Sequence, residues 1–292
     1  MDLLEVDFNL WATQLFTGIV LGLTLILLAV GLSLIFGLMG VVNFAHGAFY
    51  ALGAYLGFVV IDGTGNYWLA LAVAPIGLVL AGFITERGFV RPLTGRSPYE
   101  PLLLTFGLTF VIAESLKLIF GPIGKPFEIP ELFRGVVDFG FFVFPKFQIF
   151  RGGVALLVVA VVWLLLERTD MGRVVRAGTQ DRVMVEALGI NLTAIRAVVF
   201  ALGIGLAGLA GVLSAPMVGV HPDMGLEILL FSFIVVVVGG LGSFWGPVLA
   251  GLLVGLVISF TTLYQPEWSQ ISVFVLMAVI LLLRPRGLVG TV

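Results

Sequence analysis

The chain has 292 residues, 60% hydrophobic and 11% charged, with a formal net charge of −2. That much apolar surface cannot be hidden inside one water-soluble core, so the chain belongs in a bilayer, and its near-zero net charge gives no reason to expect a nucleic-acid partner. With no cysteine, disulfides, thiolate metal sites and cysteine nucleophiles are excluded.

The N-terminal "MDLLEVDFN" is acidic and lacks the positive region of a secretory signal, so the first apolar run is expected to remain as a helix. A spanning helix needs roughly 20 mainly apolar residues. Nine windows qualify as candidate spans: 10–36, 43–61, 67–86, 100–120, 150–167, 196–217, 225–239, 245–264 and 269–284. The apolar segments are continuous, whereas barrel strands alternate, so a β-barrel is excluded. The expected fold is a single all-α polytopic membrane domain of about 8–10 transmembrane helices, some broken or re-entrant.

Arginines cluster in three connections: Arg87, Arg91 and Arg96; Arg168, Arg173, Arg176, Arg182 and Arg196; and Arg284 with Arg286. Excess positive charge marks cytoplasmic loops. An even number of spans separates successive clusters, so the topology closes with the N-terminus outside and the C-terminus cytoplasmic.

The second span opens with "GLMGVVNFAHGAFYALGAYLG", residues 37–57. On a helix each residue advances about 100°, which brings Asn43, His46, Tyr50, Gly53 and Gly57 onto one narrow face. Lipid offers no partners to an amide or an imidazole, so this face meets another helix or a water-filled path. Asn43, His46, Tyr50 and Gly53 are therefore the candidates for lining a substrate path. Further along, Glu114 and Lys117 are spaced to form an ion pair inside a span. Segment 121–149 contains "GPIGKPFEIPELFRG" and "FGFFVFPKF", whose prolines and aromatics suit an ordered external cap.

Segment 167–196 is too polar to enter the membrane. Thr179 is positioned to cap a helix of about nine residues whose face carries Met184, Ala187 and Leu188. Gly189 would end it, and Asn191 or Thr193 would begin the next span. Such a helix is either a solvated connector or a knob that docks into a motor protein. Later, Gly239 and Gly246 repeat the seven-residue spacing of Gly40 and Gly47, the mark of an internal repeat; the topology puts both pairs on the cytoplasmic side and suits a parallel repeat, whereas an inverted one would require a re-entrant segment. Most other glycines sit at small-xxx-small spacing suited to close helix contact, as in Gly18 with Gly22 and Gly251 with Gly255.

No GxxxxGK[ST] phosphate loop is present, since the lysine of "GPIGKP" is followed by proline, so the chain is not its own ATPase. The two histidines, His46 and His221, have no ligand neighbours at usable spacing. No metal, cofactor or enzymatic activity is expected.

Three stretches, "GVVNFAHGAFYALGAY", "TDMGRVVRAGTQDRVMVEALGIN" and "VVGGLGSFWGPVLAG", in this order and at these distances, resemble the permease subunits of branched-chain amino acid ABC transporters. The resemblance covers nearly the whole chain. It implies a multi-pass subunit of a bacterial or archaeal cytoplasmic membrane, paired with a second permease, related or identical. Two cytoplasmic ATP-binding subunits and a periplasmic or lipid-anchored binding protein complete the implied assembly, which moves leucine, isoleucine or valine inward by alternating access. Asp181, Glu186, Ala187, Gly189 and Asn191 match the loop that couples to the ATPase. Where many relatives carry glutamate after the NFAHG motif, this chain has Ala48. Urea or short amides are alternative substrates within the same family, and a gradient-driven carrier or channel is the rival from another class.

Overall fold

A backbone that crosses hydrocarbon must satisfy its N–H and C=O groups internally, which leaves helices as the economical solution for continuous apolar runs. The computed structural model of the chain describes residues 8–97, 99–140 and 142–290; most of the acidic N-terminal segment lies outside these. The helices are α1 (Phe8–Met39), α2 (Ala45–Thr64), α3 (Tyr67–Thr85), α4 (Tyr99–Phe120), α5 (Lys146–Arg168), α6 (Asp170–Gln180), α7 (Arg182–Ala187), α8 (Leu192–Val218), α9 (Met224–Gly239), α10 (Trp245–Tyr264) and α11 (Ser269–Leu283). Among the described residues, eight helical segments are long and apolar enough to cross a membrane, and α9 is a shorter apolar helix. The chain is an all-α polytopic membrane protein, and each expected span corresponds to a helix.

Local chemistry sets the boundaries. Asn66 caps α3, its side-chain oxygen accepting from Trp68 N at 2.9 Å and Leu69 N at 3.2 Å. Gly65, with φ of 67°, closes α2 just before it. Beyond α3 the helix widens into a single π turn over Glu86–Val90. There Arg91 grips the buried Glu86 with two hydrogen bonds, at 3.2 and 2.8 Å.

Helices α1 and α8 form the centre, α8 buried along most of its length and α1 from Gly18 onward. Without a hydrophobic drive between helices in lipid, contact comes from close backbone approach. A Cβ at Gly22 would lie 2.8 Å from Gly251 O, and one at Gly31 would lie 2.9 Å from Gly203 O. The backbones of Gly53 and Gly208 are closer still. Outer helices show the complementary pattern: Leu103, Val111 and Leu118 of α4 and Leu282 of α11 are exposed, as lipid-facing positions should be.

The sense of packing corrects the expected parallel repeat. Gly18 and Gly22 oppose residues 255–256 and 251–252, so α10 runs antiparallel along α1; Gly82 opposes Ala201 while Gly208 opposes Leu78, so α3 runs antiparallel along α8. The triplets α1–α3 and α8–α10 thus clasp one another with opposite sense, the arrangement of an inverted repeat. The glycine pairs that suggested the repeat are not equivalents. Gly239 and Gly246 touch each other across the α9–α10 turn, whereas Gly47 in the first turn of α2 touches Gly225 in the first turn of α9.

At one end of the bundle lies the ordered segment between α4 and α5, called the cap below. An antiparallel hairpin, β1 (Val136–Asp138) with β2 (Val143–Pro145), pairs Val137 with Phe144, and α5 begins directly after it. Lys125 and Val220 exchange backbone hydrogen bonds of 2.8 and 3.0 Å, which fasten the cap segment to the α8–α9 turn. At the same end Lys117 meets Glu114 at 3.0 Å, as the spacing predicts, and also Asp223 at 3.1 Å.

The glycine contacts generate a test. Gly53→Leu is expected to destabilise the protein by about 3 kcal/mol or more, because its side chain has nowhere to go but into the α8 backbone. Gly63→Ala, in open space on the same helix, should change stability by less than ~1 kcal/mol. Thermal unfolding of both variants in detergent decides; equal melting would show that the α2–α8 contact yields easily.

Candidate functional site

The path candidates lie where α1 hands over to α2. Gly40, at φ of 67°, ends α1, and the chain returns toward the bundle interior before α2 starts at Ala45. Asn43 therefore sits in the break rather than on the α2 face. The difference has a local cause: the Asn43 side chain accepts from Ala45 N at 3.1 Å, replacing a preceding helical turn. Thr105 of α4 steadies the same segment, accepting from Phe44 N at 3.2 Å and donating to Leu102 O at 3.0 Å.

His46, Tyr50 and Gly53 share α2 but meet different neighbours. His46 is fully buried, and its Nε2 donates to Leu28 O of α1 at 3.0 Å, so Nδ1 is the bare nitrogen; no partner reaches it. Tyr50 is buried with its hydroxyl beside that of Ser214 on α8. Gly53 abuts Gly208. Asn43 Nδ2 is likewise buried without a partner. The four residues stay together as one buried polar strip held against α1 and α8, and Asn43, His46 and Tyr50 are at most 3% exposed, so no open channel runs along them in this conformation.

Beyond the far end of this strip the cap encloses a cleft of about 1050 Å³, lined by Tyr67, Phe127, Lys125, Asp62 and Arg134 among others. Tyr67 forms its inner wall, its ring packed edge-on against Phe127, Phe147 and Phe150.

At the opposite, arginine-bearing end, the segment 167–196 holds two helices rather than one. Thr169 caps α6, accepting from Gly172 N at 3.1 Å, and Asp181 caps α7, accepting from Met184 N at 2.9 Å. Thr179, expected as the cap, instead lies in the last turn of α6 and bonds back to Val175 O at 2.9 Å. Asp181 wins because it stands three residues before the first amide that needs a partner and follows directly where α6 stops. Gly189, at φ of 79°, terminates the turn after α7, and Asn191 caps α8 by accepting from Ala194 N at 3.2 Å.

Glu186 is the hub of this end. Arg182 meets it at 3.1 Å and Arg196, itself buried on α8, at 2.9 Å. The hydrogen bond from Arg182 and the charges of both arginines hold the carboxyl below the ordinary carboxylate range. The link is therefore complete above that range and is lost only as pH falls toward the lowered value. While Glu186 reaches Arg196 of α8, α7 and the turn after it present Val183, Met184 and Leu188 outward, exposed by 77%, 58% and 71%. Ala187 ends α7 beside them.

Sequence reasoning missed three participants. Thr105 and the Glu86–Arg91 pair left no distinctive pattern in an apolar chain. Arg151 did: it stands two turns into α5 with no acidic residue within a helical turn on either side, a signal hidden by placing it at the edge of span 150–167.

Comparisons with known proteins accord with this architecture. The family model described as branched-chain amino acid transport system / permease component matches residues 14–282. The chain is 33% identical to the high-affinity branched-chain amino acid transport system permease protein BraD of Pseudomonas aeruginosa, over 95% of each chain. It is 28% identical to the permease protein LivH of Salmonella typhimurium over 97% of each. It is also 30% identical to the permease protein LivM of the same organism, over 90% of this chain and 67% of that one. No solved structure matches. A bundle of apolar helices broken around a buried polar strip, matched to this family along nearly all its length, belongs to the branched-chain amino acid transport permeases.

Proposed function

We propose that this chain is one permease subunit of an ABC-type importer that carries branched-chain amino acids into the cytoplasm, working beside a second permease and driven by separate ATP-binding subunits. The observation that carries this reading is the arginine-end loop. A helix as short as α7 is marginal alone, yet here it is capped by Asp181, ended by Gly189 and tied through Glu186 to α8, with an apolar knob facing outward. Exposed Val183, Met184 and Leu188 outside the hydrocarbon suit a protein partner better than water.

Alternating access then has a physical route. A push on α7 reaches α8 through Glu186 and Arg196, and α8 is the helix whose glycines touch α2 and α3. Moving α8 re-sorts the contacts around Asn43, His46, Tyr50 and Gly53, which in this reading line the path. Close glycine contacts allow small sliding without large side-chain rearrangement. A periplasmic or lipid-anchored binding protein would deliver substrate at the cap end, where the cleft opens.

Orientation follows the arginine distribution, with the α6–α7 end cytoplasmic. Cysteines introduced at Thr94 or Asp181 should react with a membrane-impermeant thiol reagent only from the cytoplasmic side, and one at Glu131 only from outside; the cysteine-free background makes the readout clean. Labelling of Asp181→Cys from outside would reverse the arrangement.

Glu186→Lys would set a third positive charge between Arg182 and Arg196, unseating α7 without entering the membrane. In proteoliposomes holding the complete importer, we expect ATP-dependent leucine uptake to fall about tenfold or more while membrane insertion is normal. Unchanged uptake would remove Glu186 from coupling. Leucine uptake by the wild-type complex that needs no ATP would replace the ABC reading with a gradient-driven carrier.

A further inference from the structure

We infer that Arg151, with the hydroxyls of Tyr67 and Tyr50, forms a carboxylate-binding station below the cap-end cleft, through which the importer reads the α-carboxylate of its amino-acid substrate. The inference rests on the functional reading above and narrows it to a zwitterionic amino acid, against urea or short amides.

Arg151 projects from α5 into the bundle and is only 8% exposed. Among the described residues, no acidic side chain forms an ion pair with it, and its Nε has no hydrogen-bond partner. Tyr67 lies near it, its ring packed against Phe147 and Phe150 of the same helix α5, and the hydroxyl of Tyr50 also acts on it electrostatically. Glu227, the carboxylate acting on Tyr50 from α9, faces His221 at 3.9 Å instead. An isolated buried cation is costly, and proteins ordinarily pair it. A guanidinium left open in this way is shaped for a planar anion that grips two of its N–H groups at once.

Two further orphaned atoms complete the complement. Tyr67 Oη is buried without a partner, although the ring of the same residue walls the cleft of about 1050 Å³. Gln148 Oε1 is also unpartnered, and Gln148 lies one helical turn before Arg151, on the same side of α5. A guanidinium and a hydroxyl that donate, beside an amide oxygen that accepts, match an α-carboxylate beside its α-ammonium. A neutral amide or urea would leave the guanidinium charge unanswered. Tyr50 belongs to the buried polar strip, so the station joins the cleft to the proposed path.

The test uses the complete importer in proteoliposomes, with radiolabelled leucine as probe and saturating binding protein, comparing Arg151→Met, Arg151→Lys and Tyr67→Phe. We expect uptake to fall about tenfold or more in Arg151→Met, to recover partly in Arg151→Lys, and to fall about threefold in Tyr67→Phe. Melting temperature and complex yield should hold or rise in the Met and Phe variants, because each removes a buried polar atom that no described residue satisfies. Wild-type leucine uptake that persists undiminished in Arg151→Met overturns the station, as does uptake that falls only in step with melting temperature. A phospholipid phosphate is the other anion within this chemistry. If uptake and melting of wild type and Arg151→Met differ only in liposomes rich in anionic lipid, the guanidinium serves lipid and the station fails. Wild-type complex that takes up no branched-chain amino acid overturns the functional reading itself.

Discussion

The bundle depends on how closely α8 approaches its neighbours. Gly203 meets α1, Gly205 and Gly208 meet α3, and Gly211 meets the backbone of α2. In lipid, dispersion between backbones replaces the hydrophobic drive that holds soluble helices together, and it fades within about an ångström of extra separation. The glycines let four helices converge on one another, and the remaining large side chains fill what is left. Larger residues along this seam would move the elements that hold the polar strip, which is why the packing and the candidate path cannot be treated separately.

Breaking helices inside such a seam leaves backbone groups without partners, and the side chains near the break answer that need. Asn43 supplies an acceptor for the start of α2 and Thr105 reaches across from α4, while His46 donates to Leu28 O inside the continuous α1 and so ties α2 to it. These three residues therefore have structural duties whatever else they do. The atoms left over, Asn43 Nδ2 and His46 Nδ1, face the same interior as Tyr50. Under the proposed alternating access, a polar strip that is partly satisfied in one conformation could gain partners for its free groups when the helices slide.

The two ends of the molecule handle charge differently. At the arginine end every buried or half-buried charge has an opposite neighbour: Glu86 with Arg91, and Glu186 with Arg182 and Arg196. That network stiffens the loop against α8 and makes α7 and α8 a mechanical unit. At the cap end Lys117 is held by Glu114 and Asp223, while among the described residues no carboxylate pairs with Arg151. In the reading proposed above, one end would transmit a force and the other would receive an anion.

The sequence by itself determined that the chain spans a membrane, where nearly every helix lies, and which stretches carry polar groups into it. Span length and the scarcity of charge are local properties, so α1–α5 and α8–α11 could be read from windows of apolar residues, whereas the polar α6 and α7 read as one helix. The Glu114–Lys117 pair was equally local. Only the tertiary structure decided that Asn43 lies in a break rather than on the α2 face, and that the repeat is inverted, because both depend on which helix stands beside which. Gly47 and Gly246 look alike in sequence; one touches Gly225 and the other Gly239, and spacing along the chain carries no record of that. The same holds for Arg151. Its isolation from acidic neighbours was visible in sequence, but its burial arises only when α5 packs against α1 and the rest of the bundle, since the cost of an unpaired charge is set by what surrounds it in space.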